Sequence, residues 1–190
     1  VDDAGEGPRN DGRDDAVRAV AARNPGCPPE TLARLAHDRS PLVRLAVAAN
    51  PSTPASALEG LASTTTPVQI VVAANPSASP ATLTSLAEEY DSDVTAAVAA
   101  NPSTPASVLA LLAGDPDPQA RREVARNIVC PMGLLALLTE DRSPWVRAAV
   151  AQRADCPPEL LVRLAGGGDS DAEPADERWC EDNEPPPVFA

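Results

Sequence analysis

The sequence predicts an all-α chain, an open solenoid of about six 26-residue repeats, each built from two short helices. Three observations predict it. A marker recurs at Asn24, Asn50, Asn75, Asn101 and Asn127, spaced 26, 25, 26 and 26 apart, and Arg153 falls 26 further on. Around the marker run three unbroken columns: Ala two residues before it (Ala22, Ala48, Ala73, Ala99, Ala125, Ala151), Leu eight after (Leu32, Leu58, Leu83, Leu109, Leu135, Leu161), and Leu eleven after (Leu35, Leu61, Leu86, Leu112, Leu138, Leu164). Finally, most of the 22 prolines sit at helix starts, and no segment shows the alternating β-branched and aromatic pattern of a strand.

Residues 1–15 hold six acids against two Arg and no apolar stretch, so they are expected to be a disordered leader. The solenoid follows over residues 16–165. Its second unit shows the design most plainly. Ser40 is placed to N-cap a helix with Pro41 at its first position, where a missing N–H costs nothing. Val43, Ala46 and Val47 then share one helix face. Asn50 suits a left-handed stop and Pro51 blocks continuation. Thr53 and Pro54 start the second helix, with Leu58, Leu61 and Ala62 as its buried stripe. The same starts recur at Thr66-Pro67, Ser79-Pro80, Thr104-Pro105, Asp117-Pro118, Cys130-Pro131, Ser143-Pro144 and Cys156-Pro157. A helix pair this short buries one stripe, so it must stack on neighbours to be stable. Residues 166–190 open with three Gly and carry eight acids against one Arg, which predicts a disordered, Pro-rich tail.

Apolar residues make up 43% of the chain, and Ala, Val and Leu supply nearly all of them. The aromatics are only Tyr90, Trp145, Trp179 and Phe189, so the packing has to be thin and close. The net charge of −13 comes largely from the two ends, leaving 14 acids and 12 Arg between them. A nearly neutral body disfavours nucleic acid and anionic membranes as partners. No run approaches the ~20 apolar residues of a spanning helix, which makes the cytoplasm the expected location.

The segments VRLAVAANPSTPASALEGLA and WVRAAVAQRADCPPELLVRLA resemble the leucine-rich repeat variant family of bacterial helical repeat proteins. The resemblance covers residues 16–165. It implies alternating α and 3₁₀ helices stacked in a right-handed superhelix, and no settled biochemical activity. One member type carries an N-terminal iron-sulfur cluster domain. Such clusters need converging thiolates, and no Cys precedes the first repeat, so that domain is not expected here. Cys27, Cys130 and Cys156 share one column where Thr53 and Thr104 also occur, which reads as small buried turn residues rather than ligands or disulfide partners. Cys180 lies in the tail.

No catalytic constellation can be assembled: the single histidine, His37, sits in a turn, and no phosphate loop or nucleophile elbow is present. The expectation is a chain that is not an enzyme and has no cofactor or metal. The candidate binding residues are arginines. Arg18, Arg44, Arg121 and Arg147 share a column six before the marker, with Gln69 and Thr95 filling the middle units, and Arg122, Arg126, Arg142 and Arg153 add to the cluster near the C-terminal end. The bland reading is a solvated face balanced by Glu140 and Asp141. Two functions follow. The first is a scaffold or adaptor that holds another protein along an extended face. The alternative is a binder of acidic partners, nucleic acid or phosphoprotein, through the arginine column, with the acidic tail competing for it. Glu123, at an apolar helix position, marks the fifth unit as irregular.

Overall fold

The computed structural model describes residues 12–89 and 91–166. Among them the chain forms twelve α-helices and no strand. The first helices of the six units are α1 (Gly12–Arg23), α3 (Pro41–Ala49), α5 (Thr66–Ala74), α7 (Ser92–Ala100), α9 (Pro118–Arg126) and α11 (Pro144–Ala151). The second helices are α2 (Pro29–Leu35), α4 (Ala55–Ala62), α6 (Pro80–Leu86), α8 (Ala106–Leu112), α10 (Met132–Leu138) and α12 (Pro158–Gly166). Every pair of helices in substantial contact lies within one unit or in adjacent units, and α1, α3, α5, α7, α9 and α11 pack successively on one another. This is the one-dimensional contact pattern of a solenoid.

The repeat columns form the core. Leu32, Leu58, Leu83, Leu109 and Leu135 are fully buried, and Leu35, Leu61, Leu86, Leu112 and Leu138 nearly so. Ala22, Ala48, Ala73, Ala99 and Ala125 have no exposed surface, because a larger side chain there would hold successive first helices apart. The last unit departs from the column pattern. Leu161 is 40% exposed, since among the described residues no later unit packs on α12, while Leu160 is buried like Ala57, Thr82 and Val108 of its own column.

Several local expectations change. α1 begins at Gly12, so residues 12–15 are helix rather than leader; Asp14 and Asp15 sit in its first turn, where the helix dipole favours negative charge. The second helices, for which the resemblance implied 3₁₀ geometry, are α, with bonds such as Ala57 N–H to Pro54 C=O confined to their ends. Ser40 occupies the N-cap position without a side-chain cap bond, whereas Ser79, Asp91 and Asp117 do cap their helices. Pro54 and Pro105 are themselves N-caps, and the preceding Thr53 and Thr104 hydroxyls turn back to donate to Val47 O and Val98 O at 2.6 Å, pinning the turn between the two helices. The short Asn50–Asn75 spacing is absorbed in the link at residues 63–65, where its equivalent between α2 and α3 takes residues 36–40. The expected leader up to residue 11 and the tail from residue 167, with its competition for arginine and Cys180, lie outside the described residues.

Candidate functional site

Asn markers are not left-handed stops. Asn50, Asn75, Asn101 and Asn127 all have extended backbones (Asn50 φ −80°, ψ 123°), and no residue among those described has positive φ. Proline disfavours helical geometry in the residue before it, but Asn127 precedes Ile128 and is extended too, so the side-chain bonds must hold it. Each amide Nδ2 donates to two carbonyls of the preceding unit. Asn50 reaches Ala22 O at 2.6 Å and Asn24 O at 2.9 Å, and Asn75, Asn101 and Asn127 repeat the pattern one unit further each time. The amide oxygen accepts from the backbone N–H two residues on, as Ser52 does for Asn50 at 2.8 Å. The Ala carbonyl left open near the helix C-terminus is thereby satisfied by the next unit, and the marker carbonyl, which already accepts from the backbone N–H three residues on, gains a second donor. Arg153 does the same in the sixth unit, donating through Nη1 to Ala125 O and Asn127 O while its other nitrogens bind Asp155. That ion pair holds Asp155 below the usual carboxylate range.

The arginine column is likewise engaged inside the chain. Arg121 is 4% exposed. Its Nε and Nη2 donate to the Asp141 carboxylate at 2.8 and 3.0 Å, and its Nη1 to Asp115 O and Pro116 O. Arg18 meets Asp38 and Asp15 in the same manner, and the Arg18 hydrogen bonds hold the Asp38 carboxyl below its ordinary value. Arg44 donates to Asp38 O and Arg39 O, and Arg147 to Asp141 O and Arg142 O, each closing the turn that leads into its own helix. In the middle units, Gln69 and Thr95 also bind backbone carbonyls, at Ala62 O and Ser92 O. The column is therefore a set of intramolecular clamps; Arg18, Arg44, Arg121, Arg147 and Arg153 do not form a free basic face. Arg142 donates back to Pro116 O. Arg122 and Arg126 stand apart. Their side chains are 34% and 49% exposed, and both contact the carboxylate of Glu123, at 3.2 and 3.3 Å.

The irregular fifth unit is where the surface becomes distinctive. At the two positions after the marker the earlier units carry Pro25-Gly26, Pro51-Ser52, Pro76-Ser77 and Pro102-Ser103, but the fifth carries Ile128-Val129. These two are 76% and 45% exposed. Ile128 lines an open hollow of about 220 Å³ with Ala100, Pro102, Glu123, Arg126 and Asn127, at the junction of the fourth and fifth units. In the column ten after the marker, Leu111 and Leu137 are 62% and 69% exposed, where other units carry Arg34, Gly60, Ser85 and Arg163. Met132 adds a further half-exposed apolar side chain. An exposed apolar side chain in a hollow beside charged ones, as Ile128 is beside Glu123 and Arg126, is the character of a contact site for another macromolecule. Glu123 pointed to this unit from the sequence. The Ile128-Val129 replacement was visible as well, but only the fold shows that its column faces outward.

His37 is exposed in the turn after α2. Cys27, Cys130 and Cys156 are free thiols, and burial pushes that of Cys130 up to about 11, which leaves it protonated at neutral pH. Among the described residues no group of three His, Cys, Asp or Glu could hold a metal, and no helix is long and apolar enough to cross a membrane.

Comparison with known proteins agrees with this architecture. A family model described as leucine rich repeat variant domain matches residues 43–99 and 93–154, and a second, leucine rich repeat variant, matches residues 15–40 and 144–171. No curated protein matches the chain. A solved structure titled a leucine-rich repeat variant with a novel repetitive protein structural motif is similar, with 27% sequence identity and a TM-score of 0.54. The similarity covers 80% of this chain and 65% of that one. The unit that recurs along this sequence, its all-helical fold and the extent of the match together place the chain in the leucine-rich repeat variant family.

Proposed function

We propose that this chain is a non-enzymatic scaffold or adaptor that holds another protein, and that the contact is made on the fourth and fifth units. The observation that carries this reading is the exposure of Ile128 beside the hollow it shares with Arg126 and Glu123, at a position where the earlier units expose Pro. An apolar anchor with a charged rim suits a protein segment that presents its own apolar side chain and a polar group. Leu111 and Leu137 extend the apolar character to the neighbouring second helices.

The test is affinity capture from a lysate of the source organism with the 190-residue chain and with Ile128→Asp, each at low and moderate salt. The expected result is a protein retained by the parent chain at moderate salt and lost by the variant. Equal retention by both would remove the fifth unit as the site. The alternative, an acidic partner, rests on Arg122 and Arg126, which keep part of their guanidinium surface exposed. Capture that vanishes between low and moderate salt and survives Ile128→Asp would favour it.

A further inference from the structure

The two ends of the solenoid are the two halves of the interface that joins its own units. At the N-terminal end, Val17 and Val20 are each 68% exposed. The residues in the Val17 column, Val43, Val68, Val94, Ala120 and Val146, are at most 2% exposed, because in every later unit the preceding unit covers them. Asn24 is exposed while Asn50, Asn75, Asn101 and Asn127 are buried. Its Oδ1 accepts from Gly26 N–H as its equivalents do, but among the described residues its Nδ2 has no acceptor. The C-terminal end is the complement. Ala151 is exposed where the five earlier members of its column have no exposed surface. Leu161 is 40% exposed where its five equivalents are fully buried. By the rule that every internal junction obeys, the carbonyls of Ala151 and Arg153 are the acceptors that the next marker amide would bind.

We propose that the chain binds a second copy of itself head to tail, with α1 of one copy stacking on α11 and α12 of the other. Val17 and Val20 then enter the place that Val43 and Ala46 fill inside the chain, and Asn24 donates to Ala151 O and Arg153 O of the other copy. Continuity with an interface already formed five times within each molecule argues for this occupant over an unrelated partner. A contact between two different surfaces leaves one of each free, so it propagates into linear chains of molecules rather than stopping at a symmetric dimer.

Sedimentation equilibrium of the intact chain, from low micromolar to near-millimolar concentration, tests this together with two variants that each spoil one end. Val17→Asp/Val20→Asp and Leu161→Asp should each weaken self-association at least about tenfold, since each would bury a carboxylate in the junction. Mixed together they should form a one-to-one dimer, because each retains the end the other has lost. Ala151→Arg serves as a second C-terminal variant should Leu161→Asp fold poorly by circular dichroism. A parent chain that stays monomeric throughout overturns the proposal. So does association that persists in either variant alone, which would point to another surface such as the fifth-unit hollow.

Discussion

Asn75 shows how much one side chain does in this solenoid. It is buried, its amide binds Ala48 O and Asn50 O of the unit before, and its oxygen holds Ser77 N–H of the turn after. Removing it strands the buried Ala48 carbonyl, costing roughly 1–3 kcal/mol, and takes one of two donors from Asn50 O, which keeps Thr53 N–H. Asn75→Ala should therefore destabilise the chain by about 1–3 kcal/mol in urea unfolding. Asn24→Ala, measured at dilute concentration, should cost less than about 1 kcal/mol because among the described residues its Nδ2 has no acceptor to lose. Equal costs at the two positions would remove the ladder as a source of stability. Asp38 supplies a second residue-scale outcome. Its folded carboxyl lies below the ordinary value because Arg18 binds it, so its contribution is present above the unfolded pKa of about 3.9 and is lost as pH falls through the folded value. The difference in Tm between the parent and Asp38→Asn should be largest near neutral pH and should shrink in acid below about pH 4. A difference independent of pH would mean that the ion pair is not what Asp38 contributes.

At the scale of the helix, position in the stack governs stability more than composition does. α6, Pro80–Leu86, is seven residues long, too short to persist alone. It is held by Leu83 and Leu86, which are buried between neighbours on either side. Leu86→Ala should cost about 2–5 kcal/mol, the range for a buried Leu that leaves a cavity. Leu161→Ala, in a repeat column at the open end of the stack, should cost under about 1.5 kcal/mol because much of its surface already meets water. Thermal or urea unfolding of the two variants separates them, and comparable losses would contradict the burial assigned to the last unit.

Among the described residues each unit is in substantial contact only with its neighbours, so stability is set by unit-to-unit junctions and is lowest where a unit has one neighbour rather than two. Amide hydrogen exchange should be slowest in α5 to α8 and fastest in α1 and α12. In Leu86→Ala, protection should fall first in the second to fourth units and last at the ends. Uniform protection along the chain, lost all at once in the variant, would show that the solenoid opens as one cooperative body.

Fold and repeat boundaries were legible in the sequence because a 26-residue period, proline punctuation and two Leu columns are local, redundant signals that each unit states again. The irregularity of the fifth unit was legible in the same way, from Glu123 standing in an apolar column. What the Asn and Arg columns do was legible only in part: an Asn at a helix end can satisfy stray backbone groups and Asp141 was at hand to balance the arginines, but that these bonds join one unit to the next was not legible. A sequence column says that a residue recurs, but whether its side chain meets solvent or the previous unit depends on how far one unit is rotated over the next, and that is decided only when the units stack. Stacking turned Asn50 and its equivalents from helix stops into clamps between units and gave Arg121 a carboxylate twenty residues away. It also left Ile128, Val17 and Leu161 facing outward, positions whose meaning depends on which neighbour is present to cover them.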